Sequence, residues 1–284
     1  MGIAATGDSV MDGKGLKRRQ RAYRILDAAA RLLLKWGYNK TTIDDVAREA
    51  GVAKGTIYLH WKTREDLFRA LIQREGIEMG AAFRRRTEDD PDGVTLRGIY
   101  RNAALGLLER PLLKAVIVND ATVLGRLAQA AHPTQSYAEK LAGFNVYLSF
   151  LRDHDLIRKD LDLKQQIQVV TGVLLGLLVA APMMPGELTL TDAQTADLIG
   201  EAIHRTLETD RKVPRAEMKV ITRAFLDYFD RIMATANRQF EVELGLTHIG
   251  MEERYDRSNI GKAVDQNVRP DTRVGRARPD RQRR

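Results

Sequence analysis

Residues 41–68 carry the strongest structural signal in the chain and read TTIDDVAREAGVAKGTIYLHWKTREDLF. Thr42 followed by Asp45 predicts a capped helix over residues 43–50, and Gly51 is typical of the residue that ends such a helix. A second helix is predicted from Lys54 to about Trp61, and Thr63 with Asp66 repeats the capping signal for the helix that follows. Gly37 is predicted to end the helix that precedes the stretch. Two short helices joined by a tight turn with a glycine form the helix-turn-helix, whose second helix enters the DNA major groove. Residues 41–68 therefore predict a DNA-binding domain.

The apolar residues of this stretch predict how the two helices pack. A preceding helix is predicted from the three- and four-residue periodicity of the apolar residues from Ile25 to Trp36. The apolar side chains at helical spacing on the two short helices are expected to face it. Trp61 is predicted to be the core aromatic that seats the second helix. The polar side chains Lys54, Thr56, Tyr58 and His60 are left to face outward.

The stretch Thr41 to Phe68 also resembles the DNA-binding signature of the TetR family of bacterial repressors, and the resemblance covers roughly residues 17–74. This resemblance implies an all-α homodimer. Its amino-terminal domain reads DNA, and its carboxy-terminal domain binds a small molecule and dimerises. Ligand binding would then move the DNA-binding domains apart and release the operator.

The resemblance assigns DNA contacts position by position. Lys54 and Gly55 open the recognition helix, where a side chain and a close backbone approach can reach base edges. Tyr58 is expected to touch a base methyl group or a phosphate, and Leu59 departs from the polar residue often found at its position. His60, Lys62 and Arg64 match positions that usually hold phosphates. The full predicted set in and around the motif is Thr42, Lys54, Gly55, Thr56, Tyr58, His60, Lys62 and Arg64. For Arg64, a partner in its own helix, Asp66 or Phe68, is the competing interpretation, and for Thr42 capping and backbone contact are compatible.

Basic residues precede and begin the first helix. Lys17, Arg18, Arg19 and Arg21 are predicted to contact phosphates, and an arm there could also enter an adjacent minor groove. The alternative is non-specific attraction. Charge counts agree with a basic amino-terminal end, since residues 1–74 hold fifteen Lys/Arg against eight Asp/Glu, residues 75–250 hold 21 against 24, and residues 251–284 hold ten against six.

Composition excludes several classes of function. The 284 residues contain no cysteine, which excludes disulfide scaffolds, thiolate nucleophiles and cysteine-ligated metals. The five histidines are scattered, and neither a glycine-rich phosphate loop nor a convincing catalytic triad is present. We therefore expect no enzyme activity, no cofactor and no metal site.

The chain is predicted to be all-α and to have four parts. These are a disordered arm over residues 1–15, the helix-turn-helix domain over 16–74, a helical ligand-binding and dimerisation domain over 75–250, and a disordered basic tail over 251–284. The helix predicted from Pro214 to about Gly245 and the tail exceed a typical family member in length, and their role is open.

The larger domain supplies candidates for two further surfaces. Gly172, Gly176 and Ala180 recur every four residues, and with Ile199 and Ile203 they are predicted at a dimer interface. Packing against helices of the same chain is the alternative. Candidates for an effector pocket are Tyr100, Asn119, Phe144 and Tyr147, and plain core packing is the alternative for each.

The location expected from the sequence is cytoplasmic. The amino terminus lacks the apolar run of a secretory signal. The longest apolar stretch, Val169 to Met184, falls short of the roughly 20 residues of a membrane span, and a buried helix is predicted instead.

The predicted function is that of a ligand-responsive transcriptional regulator. It would act as a repressor that binds a palindromic double-stranded DNA operator as a homodimer and is released by a small, mostly apolar molecule. The alternative is a constitutive or architectural DNA-binding protein without an effector.

Overall fold

A computed structural model describes residues 13–125, 147–211 and 213–246, which lie in one compact unit that extends to Thr247. Helices make up the regular structure of these residues, and β pairing among them is limited to a single bridge between Ile157 and Glu208. The prediction of an all-α fold is confirmed. Phe144 and the predicted tail over 251–284 lie outside the described residues.

The amino-terminal part, here called the head, comprises residues 13–74. Its helices are α1 (Gly13–Trp36), α2 (Ile43–Ala50), α3 (Lys54–Tyr58) and the first half of α4 (Arg64–Asp89), with a 3-10 turn at Tyr38–Lys40. Residues 13–15 were predicted to be disordered and are helical instead. The recognition helix α3 ends three residues earlier than predicted, although Trp61 N still donates to Ile57 O at 2.9 Å.

Local capping explains why the helices of the head begin and end where they do. The Thr42 hydroxyl accepts a hydrogen bond from Asp45 N at 3.2 Å, and the Asp45 carboxylate accepts one from Thr42 N at 3.2 Å. Thr63 and Asp66 repeat this capping box at the start of α4. At the other end of α2, Gly51 takes the left-handed conformation with φ 63°. The predicted cap, its glycine and the bounds of α2 are confirmed.

The head has its own hydrophobic core, in which one face of α1 packs against α2, α3 and α4. Trp61 is 4% exposed and Ile57 is fully buried, so the core prediction for Trp61 is confirmed. Other buried members include Ala22, Ile25, Leu26, Ala29, Leu33, Val46, Ala47, Leu67, Phe68 and Leu71.

The remaining described residues, 75–246, form the body. It contains the second half of α4, α5 (Leu96–Leu108), α6 (Pro111–Ile117), α7 (Ala121–Leu124), α8 (residues 147–153), α9 (Leu163–Ala180), α10 (Asp192–Leu207) and α11 (Arg215–Glu243). Helices α6 and α7 are separate, because Asn119 turns the chain between them with φ 54°. The predicted boundary between residues 74 and 75 falls inside the continuous helix α4 and stays a prediction.

Helix α5 is the centre of the body and packs closely against α10. A Cβ atom added at Gly200 on α10 would lie 2.8 Å from Arg97 O on α5, so the two backbones touch at this glycine. Ile199 and Ile203 have no exposed surface and belong to the core at the same contact. Arg101 on α5 pairs with Asp197 on α10 at 2.5 Å and closes the edge of this packing.

Helix α9 is long and apolar, but the single chain buries little of it. Together with the turn that follows, it spans 21 residues over Leu163–Met183 with mean hydropathy 1.8, and 17% of its most apolar window is buried. The prediction that this helix is buried is therefore wrong for the single chain. Its 21 residues also reach the length of a membrane span, so the argument that the apolar stretch is too short does not hold. Such a helix is weak evidence for a membrane protein, because helices of soluble proteins also reach this length and hydropathy.

Candidate DNA-binding face

The recognition helix α3 projects its polar residues from the head. Tyr58 is 39% exposed and Leu59 is 68% exposed, whereas Ile57, which precedes them, is fully buried in the core of the head. A Cβ atom added at Gly55 would meet no atom within 4 Å. The head itself therefore leaves space for a side chain at residue 55, and a glycine there leaves the backbone open to close approach from outside.

Lys54 stands at the start of α3 and pairs with an acidic residue of α2. Its Nζ atom lies 2.8 Å from Asp44 Oδ2, and this hydrogen bond raises the pKa of Lys54. Both side chains are at least half exposed. An exposed pair of this kind contributes little stability, so Lys54 can exchange Asp44 for a DNA acceptor at small cost.

A basic notch lies between α1 and the residues that follow α3. It measures about 260 Å³ and is lined by Lys17, Arg18, Arg21, Leu59 and His60. The sequence predicted phosphate contacts for all of these except Leu59, and the structure brings them together. Three cations around one notch form a suitable environment for a phosphate group.

His60 is the unusual member of this notch. Its ring lies 5.2 Å from that of Trp61, and its Nδ1 atom is buried without a hydrogen-bond partner. Burial, with the nearby charges of Arg18 and Arg21, lowers the pKa of His60 from 6.5 to about 4. In the protein without DNA, His60 is therefore neutral near pH 7.

The low pKa of His60 predicts a pH-dependent stability. Its neutral form is favoured in the folded state, so its contribution is present above the unfolded pKa of about 6.5 and is lost as the pH falls towards 4. Between pH 7 and 4.5 we expect the thermal midpoint of a His60→Asn variant to fall about 3 °C less than that of the wild type. Scanning calorimetry of both proteins measures this difference, and parallel pH curves would contradict it.

Arg18 and Arg19 are engaged within the chain. Arg18 Nε donates to Leu244 O at 2.9 Å, and Arg19 lies 3.7 Å from the Glu241 carboxylate. Leu244 and Glu241 belong to the end of α11, more than 200 residues further along the chain. Sequence reasoning missed this contact, because no local pattern joins residues so far apart.

Arg64 is partly exposed and makes contacts within the head. Its Nη1 atom lies 3.2 Å from Thr41 O, and its guanidinium carbon lies 4.0 Å from the centre of the Tyr38 ring. These contacts hold Arg64 in the protein without DNA, and its predicted phosphate contact stays a prediction. The competing interpretation named Asp66 or Phe68 as the partner, whereas the contacts of Arg64 are with Thr41, Tyr38 and, at 3.9 Å, the Glu65 carboxylate. Thr42 and Lys62 are exposed, and Thr56 is partly exposed.

Of the predicted effector residues that the structure describes, Tyr100 and Tyr147 lie in one core and Asn119 does not, and a pocket that includes the two tyrosines stays a prediction. Tyr147 is 7% exposed and its hydroxyl donates to Val94 O, while Tyr100 is 8% exposed in the same core. Asn119 is exposed in the turn between α6 and α7, so its predicted inward position is wrong. A separate cleft of about 220 Å³ opens beside α5 and α10 and is lined in part by Arg97, Leu151, His204, Met218 and Ile221.

The predicted dimer residues fall into two groups. Gly172 and Gly176 are exposed on α9, and Cβ atoms added to them would meet nothing within 4 Å, whereas Ala180 is partly exposed. Ile199 and Ile203 are core residues of the single chain, so an interface role for them is wrong. On the other side of their helix, Leu198 is 42% exposed.

Comparisons with known proteins agree with this geometry. Residues 25–71 match the model of the family described as "Bacterial regulatory proteins, tetR family". The fatty acid metabolism regulator protein of Bacillus subtilis is 33% identical over 81 residues, which are 28% of this chain and 40% of that protein. The regulator AcrR of Shigella flexneri is 29% identical over 114 residues, 37% of this chain and 51% of AcrR. The chain thus spans about half or less of these relatives.

Among solved structures, a TetR-family transcriptional regulator from Rhodococcus is similar at 20% identity with a TM-score of 0.48. The similarity covers 66% of this chain and 98% of that protein.

Proposed function

We propose that this chain, a TetR-family transcriptional regulator, binds a palindromic DNA operator as a homodimer and acts as a repressor that a small, mostly apolar molecule releases. The observation that carries the proposal is the exposed face of the head, where Lys54, Gly55 and Tyr58 of the recognition helix lie beside the basic notch. Since its operator would be chromosomal DNA of a bacterial cell, we also propose that it acts in the cytoplasm.

Side-chain chemistry distinguishes the groups on this face that suit base contacts from those that suit phosphate contacts. Lys54 and Tyr58 are one helical turn apart at the exposed side of α3, in positions that reach base edges when the helix enters the major groove. The notch of Lys17, Arg21 and His60 supplies contacts to the phosphates on one side of the groove. Phosphate contacts orient the head, and base contacts give it sequence preference.

A second copy of the chain is the proposed cover for α9. In that helix only Gln166, Val170 and Leu178 are buried, and Val179 is 47% exposed. The segment after α9 adds Met183 and Leu188, which are 74% and 61% exposed. Contiguous apolar surface of this kind marks an interaction site in soluble proteins. The open glycines allow a partner helix to approach closely, and a two-fold dimer would present two heads to a palindrome.

The cleft beside α5 is our candidate space for the effector. Its lining combines the apolar side chains of Leu151 and Ile221 with the charged or polar groups of Arg97 and His204. Small-molecule sites commonly have such a mixture, in which apolar surface gives affinity and a few polar groups orient the ligand.

Selection of bound fragments from random DNA tests the operator proposal. We expect a palindromic consensus and a steep loss of affinity with salt, since each neutralised phosphate adds about 0.9 to the slope of log affinity against log salt. A selected motif without two-fold symmetry, or a salt slope near zero, would contradict the proposal.

A thermal-shift screen with small apolar compounds separates the repressor from a constitutive DNA-binding protein. A specific ligand at about 100 times its dissociation constant stabilises the folded state by about 2.7 kcal/mol, which raises the midpoint by about 5 °C or more. We expect such a compound to weaken operator binding as well. A compound that stabilises the protein while operator affinity stays constant would contradict ligand-controlled release.

A further inference from the structure

The last helix α11 reaches from the body into the core of the head. Phe240 is 2% exposed and Leu244 is fully buried, and both belong to the cluster that contains Ala22 and Ile25 of α1. The Phe240 ring meets Tyr23 edge to face, with ring centres 6.1 Å apart. The carboxyl end of α11 is thus part of the head's own packing.

The same helix is fixed to the body further up its length. The Phe229 ring lies 5.2 Å from Phe83 on α4, and Arg84 donates from Nε and Nη2 to the two carboxylate oxygens of Asp230 at 2.7 and 3.0 Å. Met218 and Ile221, near its amino end, line the cleft of the body. Helix α11 therefore connects that cleft to the head.

One side chain joins the end of α11 to the end of the recognition helix. Arg18 Nε donates to Leu244 O at 2.9 Å, and Arg18 Nη2 donates to Leu59 O at 3.4 Å. These carbonyls follow the last turns of α11 and α3, where helices leave acceptors unsatisfied and carry partial negative charge. The fit is close, because a Cβ atom added at Gly245, whose φ is 66°, would lie 2.5 Å from Arg18 Nη2.

We propose that Arg18 is a positioning residue, through which the docked end of α11 fixes the recognition helix for DNA binding. This inference rests on the proposed function, and it assigns to the carboxy-terminal helix a role in operator affinity. Arg18 can bridge two carbonyls because its guanidinium presents several N–H groups in a rigid fork. A lysine keeps the positive charge but replaces this fork with a single flexible ammonium group.

Charge-preserving and charge-removing variants of the full chain test the assignment. We expect Arg18→Lys and Arg18→Ala each to weaken operator binding about tenfold, with the salt slope of Arg18→Lys unchanged. Arg24→Ala is the matched control, since it removes an exposed arginine from the same helix. If Arg18→Lys binds as the wild type does and Arg18→Ala lowers the slope by about 0.9, Arg18 contacts a phosphate directly and the proposal is overturned.

A substitution at the other end of the contact tests the coupling. Gly245→Ala displaces the far end of the Arg18 side chain, and it also strains the left-handed turn at residue 245 in either background. We therefore expect the loss of operator affinity on this substitution to be about fivefold greater in the wild type than in Arg18→Lys. Equal effects in both backgrounds would refute the coupling.

Amide hydrogen exchange of the free protein gives a readout that does not depend on DNA. We expect exchange at residues 59–61 to be about fivefold faster in Arg18→Lys than in the wild type. Unchanged exchange would overturn the positioning role. Failure of the wild type to bind any operator would instead refute the proposed function.

Discussion

A Gly176→Arg substitution is expected to convert the proposed dimer to a monomer and to weaken operator binding about 100-fold or more. Gly176 is exposed on α9 with open space around it, so one chain can accept the arginine without a clash. At the proposed interface, the same side chain would place a charge between two apolar helices. Each monomer would then bind a half-site without the gain in affinity that comes from linking two heads.

Light scattering and operator titration measure the two parts of this prediction. Gly76→Arg is the matched control, because Gly76 is also an exposed helical glycine with nothing within 4 Å of an added Cβ atom, but it lies on α4. Both substitutions replace glycine by a better helix former, so neither is expected to unfold the chain. A dimeric Gly176→Arg protein would exclude α9 as the interface.

The parts of the fold that the sequence predicted well are those encoded locally. Thr42 with Asp45, and Thr63 with Asp66, begin α2 and α4 because each side chain satisfies backbone groups within three residues. Gly37 and Gly51 end helices because their positive φ angles are cheap for glycine. The recognition helix could be placed for the same reason, since its flanking turn and cap are close in sequence.

What the sequence could not predict depends on distant parts of the chain. An apolar periodicity on α10 indicates a buried face, but it does not distinguish burial by α5, which Ile199 receives, from burial by a second copy. Arg18 looked like a phosphate ligand because basic residues surround it in sequence, whereas its acceptor Leu244 O lies 226 residues away. Asn119 was misplaced because its left-handed turn gave no sign in the apolar pattern.

Removing the side chains of Lys54 and Tyr58 together is expected to lower operator affinity about 1,000-fold while leaving the fold intact. Both residues are exposed, and the ion pair that Lys54 loses with Asp44 is exposed as well, so the free energy of unfolding should change by less than about 1 kcal/mol. Each base contact is worth about 1–3 kcal/mol of discrimination, so two such contacts account for the loss.

The pattern of loss across DNA sequences tests whether these residues contact bases. In the double variant Lys54→Ala with Tyr58→Ala, the affinity for random DNA should fall much less than the affinity for the operator, because base contacts contribute to specific binding alone. Lys35→Ala is the control for charge, since it removes one lysine near the opposite end of α1, about 25 Å from Arg18 along the helix. If the double variant kept wild-type preference for the operator over random DNA, sequence would be read elsewhere than on α3.

Asp44→Asn should act in the other direction, since it removes both the competing acceptor of Lys54 and a negative charge from the DNA-binding face. We expect it to raise affinity for all DNA sequences about threefold.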